Sequence, residues 1–106
     1  MSDAGWTALS IDHGTAEQRE NQHFGLVAHR SGELIPDLRV LWLTQEHGVL
    51  GMRPGSALAL PEIPVGTPLR ILPVHACATA FQHDAYHVID APDDRIQAVW
   101  PRIRGW

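Results

Sequence analysis

Lysine is absent from this 106-residue chain, and all eight of its basic side chains are arginines. Without a side-chain primary amine, no internal Schiff base can form on it. Cysteine occurs once, which excludes an internal disulfide and implies no oxidising compartment. No apolar run approaches the ~20 residues that span a bilayer. Met1-Ser2-Asp3-Ala4-Gly5-Trp6 lacks the basic and apolar regions of a signal peptide. A soluble, cytoplasmic protein is the expectation. Basic charge is scarce as well: eight arginines stand against twelve Asp and Glu, giving a formal net charge of −4. That balance leaves no basic stripe for nucleic acid.

Long helices are also missing from the pattern. Eight prolines and nine glycines interrupt the chain, and apolar residues recur mostly at a spacing of two. Strands are expected at residues 6–11, 24–28, 38–44, 49–52, 69–72, 85–90 and 95–102. Turns fall at Ser31-Gly32, Gln45-Glu46-His47-Gly48 and Pro92-Asp93-Asp94. Residues 15–21 read either as one helical turn or as a loop. In Leu38-Arg39-Val40-Leu41-Trp42-Leu43-Thr44, alternation puts Val40, Trp42 and Thr44 on one face. Leu41 and Leu43 lie on the other face, so both sides are largely apolar and the strand should be central. These signals predict one mainly β domain over residues 1–106, an antiparallel barrel or sandwich. Trp6, Trp42 and Trp100 are expected as core or domain-interface anchors.

Histidine is plentiful, with seven residues, and one of them stands two positions before the lone cysteine in His75-Ala76-Cys77. An imidazole and a thiolate at that spacing can reach one metal ion from a short extended or turning segment. Two ligands fall short of the four of a structural zinc site. On the residues alone, a ligand pair and a small buried cysteine beside a histidine both stay open. Glu46 and His47, in a turn after the strongest strand, read equally as pocket residues or as a solvated turn. Asp12 could cap a turn or face a pocket, and the turn is the expectation. His83 and Asp84 fall outside a strand, so no second metal site is expected at His83 and His87. No glycine-rich phosphate loop, serine elbow or Cys–His nucleophile pair is present, which favours the thiol as a ligand over a nucleophile.

Four segments, in order, resemble one family. They are Asp3-Ala4-Gly5 with Ala8-Leu9-Ser10, Asp12 and Gly14; Glu46-His47-Gly48; Pro73-x-His75-Ala76-Cys77-Ala78-Thr79; and Trp100 with the closing Arg104-Gly105-Trp106. Together they resemble the C-terminal domain of the D-threonine aldolase and D-serine dehydratase-like enzymes, metal-activated pyridoxal phosphate enzymes of the alanine racemase fold. Val74 departs from the asparagine usual there, which removes an amide but neither ligand.

The resemblance implies that His75 and Cys77 bind a divalent metal, zinc or manganese, with Glu46 and His47 lining the substrate pocket. It implies pyridoxal phosphate on a (β/α)8 barrel that this chain lacks, in agreement with the missing lysine. The barrel, in the same or a separate chain, is then the expected partner, and a D-β-hydroxy amino acid the substrate. The reaction is β-elimination or retro-aldol cleavage, the parent enzyme a homodimer, and the chain alone inactive. Two other readings stand beside it. One is a free-standing metal-binding or interaction module without catalysis. The other is a small zinc hydrolase with His75, Cys77 and His47 as ligands and Glu46 as base.

Overall fold

A computed structural model of the chain describes residues 1–12, 19–90 and 95–103. Gly14, the turn at Pro92-Asp93-Asp94, the closing Arg104-Gly105-Trp106 and most of the 15–21 segment lie outside the described residues. Six strands and one short helix follow in the order β1 (Gly25–His29), β2 (Leu34–Leu43), β3 (Gly48–Met52), β4 (Leu69–Pro73), α1 (Ala76–Phe81), β5 (Ala85–Asp90) and β6 (Arg95–Pro101). The first four form one antiparallel sheet in the order β3-β2-β1-β4, and β5-β6 form a separate antiparallel ribbon. The fold is mainly β and antiparallel, as the spacing of apolar residues predicts. No helix among the described residues is long and apolar enough to cross a membrane.

The core lies against the larger sheet. Leu9, Phe24, Val27, Ile35, Leu38, Val40 and Leu43 are buried together, and Ile63, Leu69, Ile71, Leu50 and Met52 pack against them. Strand β2 is central, between β3 and β1, and it is irregular in two places. Near its start the pairing with β1 slips between Leu26 and Ala28, opposite Pro36 and Asp37. Proline supplies no ladder N–H, and Asp37 has φ +59°, in the left-handed region that few non-glycine residues adopt. This distortion hides the start of the strand from an alternation count, which places it at Leu38 rather than Leu34.

The second irregularity falls between Val40 and Trp42, where Leu41 is the extra residue of a bulge against β3. One added residue reverses which face the following side chains take. Val40 and Leu43 are therefore both buried, while Trp42 is 64% exposed. The expected Val40-Trp42-Thr44 face is broken at that point. Trp6 (38% exposed) and Trp100 (60% exposed) are not core residues either. None of the three tryptophans anchors the core.

Two local expectations are also corrected. Residues 6–11 form turns rather than a strand, with the amides of Ala8 and Leu9 both donating to the Gly5 carbonyl. Residues 76–81, beyond the predicted strand end, are helical. Their composition, Ala-Cys-Ala-Thr-Ala-Phe, is half alanine, the best helix former. Six residues are too few for a helical period to show in the sequence.

The ribbon β5-β6 depends on this helix. Arg102, just past β6, donates from Nη1 to the Ala80 carbonyl (2.7 Å) and from its amide to the Asp84 carbonyl (2.9 Å). Its guanidinium stacks 4.6 Å from the centre of the Phe81 ring. A two-stranded ribbon by itself is marginal in water, and no residue of β5 or β6 is fully buried. Ile96, Val99, Trp100 and Ile103 are all more than half exposed.

Two outcomes follow from this architecture. With so many large apolar groups at the surface, the isolated chain should self-associate or bind a hydrophobic dye. A monodisperse monomer by light scattering, with no dye fluorescence, contradicts that. The second concerns the latch at the β2 distortion, where Ser56 Oγ donates to Asp37 Oδ2 (2.8 Å) and Arg53 Nε to Oδ1 (2.6 Å). The Ser56 hydroxyl first, and then Arg53, hold the Asp37 carboxyl below the usual carboxylate range. Its stabilising contribution is therefore complete above a pH of about 3.9 and is lost as pH falls through the lowered value. Asp37→Asn, which tolerates the positive φ, should lower the urea midpoint at pH 7, and its deficit against wild type should shrink at pH 3.

Candidate functional site

Strand β4 ends at Pro73, and the Val74 amide extends its pairing by donating to the Phe24 carbonyl (3.4 Å). The chain then turns at His75, which occupies the N-cap of α1 with φ −122° and ψ 86° and makes no side-chain capping bond. Its imidazole is free of the local role that a residue at this position often fills. Cys77 follows in the first turn of α1 as an exposed free thiol. Imidazole and thiol thus bracket the start of a helix, itself held by the end of a strand paired in the sheet.

Asp12 completes the arrangement. Its Oδ2 lies 2.9 Å from His75 Nδ1. The Nδ1 atom is shut off from solvent and has no aligned hydrogen bond among the described residues; the ring N–H direction misses the carboxylate oxygen. Thr79 Oγ1, one helical turn further on, is likewise buried without a partner. The expectation that Asp12 caps a turn is corrected here. Ser10 Oγ closes that turn by accepting from the Asp12 amide (3.1 Å), which leaves the carboxylate to reach His75.

Asp12 is delivered by the irregular segment 2–12, whose other half is pinned to the β2-β3 turn. Ser2 and Gly48 exchange backbone bonds of 2.8 and 3.1 Å. Trp6 donates to the Thr44 carbonyl, and both the amide and the hydroxyl of Thr7 donate to the Gln45 carbonyl. This closeness requires two glycines. A Cβ on Gly5 would stand 2.4 Å from the Gln45 carbonyl oxygen, and one on Gly48 would stand 2.7 Å from that of Ala4. The same segment meets the far end of α1, where His83 Nε2 lies 2.9 Å from the Ala8 carbonyl. His83 is therefore a structural tie between helix and segment.

Glu46 and His47 sit in the β2-β3 turn and are exposed. Thr44 shapes this turn: its amide donates to the His47 carbonyl (2.8 Å), and its Oγ1 accepts from the His47 amide (3.2 Å). Neither side chain bonds to a described residue. Among the described residues, no group of three or more His, Cys, Asp or Glu is arranged to hold a metal ion. His47 is thus not assembled with His75 and Cys77 as the third ligand a hydrolase needs.

The donor set nevertheless fits a divalent ion with open coordination positions. It offers one imidazole, one thiol and a carboxylate behind the imidazole, the partner that metal-binding histidines commonly have. For Asp12 sequence reasoning leaves a turn cap and a pocket position open and favours the turn, although the D-x-G element of the first motif carries it. Thr79 closes the Pro73-to-Thr79 motif, and nothing in the sequence pointed to the burial of its hydroxyl.

Comparison with known proteins places the chain in a family. Residues 1–89 match the family model described as "Putative serine dehydratase domain". The chain is 43% identical over 106 residues to D-threo-3-hydroxyaspartate dehydratase of Delftia sp. (strain HT23), covering 98% of this chain and 27% of that protein. It is 30% identical over 104 residues to D-serine dehydratase of Dictyostelium discoideum, covering 95% of this chain and 25% of that protein. The solved Delftia structure superposes with a TM-score of 0.83 at 42% identity, over 98% of this chain and 27% of that one. An alanine racemase-like protein of Idiomarina loihiensis superposes with a TM-score of 0.81 at 44% identity and the same coverage. Two further D-threo-3-hydroxyaspartate dehydratase structures carry alanine in place of a histidine and of a cysteine that stand two residues apart, and the cysteine variant is described as the metal-free form. The chain spans about a quarter of the length of the curated relatives it matches. By fold, motif order and identity, it belongs to the serine dehydratase domain family, whose alanine racemase-like relatives carry this β-rich portion within a longer chain.

Proposed function

We propose that this chain is the metal-binding portion of a pyridoxal phosphate-dependent dehydratase acting on a D-β-hydroxy amino acid, with His75 and Cys77 as the metal's protein ligands. The observation that carries the proposal is the placement of these two side chains at the start of α1, with the Asp12 carboxylate against His75 Nδ1. The spacing of the replaced histidine and cysteine in the D-threo-3-hydroxyaspartate dehydratase variants supports it. Both curated relatives are named as dehydratases, which favours β-elimination over retro-aldol cleavage.

A divalent ion at this position supplies Lewis-acid polarisation of the substrate's β-hydroxyl, easing its departure. His75 would hold the ion through the ring nitrogen that does not face Asp12, and Cys77 through its sulfur. An N/S pair suits zinc better than manganese, which favours oxygen ligands. Glu46 and His47, with free side chains on a turn shaped by Thr44, form pocket wall rather than ligand set. Pyridoxal phosphate requires a lysine that this chain does not have, so a lysine-bearing barrel is the partner that completes the site. We place the complete enzyme in the cytoplasm, as a homodimer.

Elemental analysis tests this. Alone, the chain should hold zinc below stoichiometry, because two ligands without a closed shell bind loosely. With a lysine-bearing barrel, zinc should reach one per chain, and His75→Ala or Cys77→Ala should abolish it. Tight stoichiometric zinc without the barrel, or zinc retained by Cys77→Ala, overturns the proposal. In the complete enzyme, His47→Ala should keep its zinc and lose dehydratase kcat/KM by about 10²-fold through substrate misplacement. Zinc loss in that variant equal to that of Cys77→Ala would instead make His47 a ligand.

A further inference from the structure

An imidazole can bind a metal only through a nitrogen that carries no proton, and which of its two nitrogens that is depends on the hydrogen bond the other one makes. In His75, Nδ1 is buried and has a carboxylate oxygen 2.9 Å away. An ionised carboxylate only accepts hydrogen bonds, so a bond between the two groups, once they come into line, needs the proton on Nδ1. Both side chains are partly exposed, His75 by 39% and Asp12 by 54%, which leaves them room to turn into line. At that exposure the pair contributes little to stability as a salt bridge. The segment is already tied to α1 by Ala8 on His83, so the approach of Asp12 to His75 is not needed to hold the two together.

We propose that Asp12 is a positioning residue for His75: its carboxylate keeps the proton on Nδ1 and so presents an unprotonated Nε2 to the metal. The consequence for metal affinity rests on the ligand assignment above, whereas the choice of tautomer does not. The Ser10 turn and the buried Leu9 and Ser10 hold Asp12 in place. The pinning of residues 2–7 to the β2-β3 turn makes that placement depend on Gly5 and Gly48.

Long-range ¹H–¹⁵N correlation spectra of the metal-free 106-residue chain at neutral pH read the tautomer directly. Wild-type His75 should show Nδ1 protonated and Nε2 bare, and Asp12→Ala should shift it toward the Nε2–H form. Asp12→Asn, which keeps an acceptor oxygen, should retain the wild-type tautomer. Zinc titration against a chromophoric chelator should show an affinity about 10–100-fold weaker in Asp12→Ala, largely restored in Asp12→Asn. A proton on Nε2 in the wild-type chain overturns the proposal without need of any variant. So does an Asp12→Ala chain with native shift dispersion and unchanged tautomer and affinity. The two readings separate cleanly. Zinc lost in Cys77→Ala with His75 indifferent to Asp12 upholds the ligands and overturns the positioning role. A tautomer set by Asp12 with zinc retained in Cys77→Ala does the reverse.

Discussion

The backbone contact between residues 2–7 and the turn at 44–48 is the constraint on which the site depends. It brings two chain segments closer than any side chain at Gly5 or Gly48 would permit. Once that contact is made, the next few residues have little choice of path. Leu9 and Ser10 are buried, Ser10 closes the following turn, and Asp12 arrives beside His75. Three motifs far apart in sequence are thereby joined through one irregular stretch that forms no strand. The β2-β3 turn and α1 are held by opposite ends of the same segment.

The sheet supplies rigidity where the site needs it. His75 leaves β4 two residues after its last paired position, and β4 is joined along its whole length to β1, which contributes the fully buried Val27 and Ala28. Rigid elements carrying functional groups at their ends place them more reproducibly than free loops. The helix that carries Cys77 is too short to be stable alone. It persists through its neighbours: the strand before it, Arg102 on its terminal carbonyl, and His83 against Ala8. Helix and ribbon support each other, since the same Arg102 fastens the end of β6.

The surface is rich in large apolar groups. Apolar side chains spread over the ribbon, the outer face of β2 and the connection between β3 and β4, while the core itself holds only a handful of large residues. The proposed site is similarly open: an imidazole, a thiol and a carboxylate behind the imidazole would leave coordination positions on an ion unfilled, which suits one that works on a substrate rather than one that staples a fold. Membership in a family whose relatives are about four times longer accords with both features.

Sequence alone determined a good deal here. Alternation of apolar residues located β1, β3, β4, β5 and β6 to within a residue or two, because period-two patterning follows directly from strand geometry. The ordered motifs carried the resemblance to the family, and the missing lysine means that this chain forms no Schiff base of its own. What alternation could not reveal were the bulge at Leu41, the distorted entry of β2 at Pro36-Asp37, and the helix after His75. A bulge is a mismatch between two strands, so neither strand records it alone, and Trp42 was accordingly assigned to the wrong face. The meeting of Asp12 with His75 also belongs to the tertiary structure. It depends on two glycines packing against a distant turn, a long-range contact that no local pattern encodes.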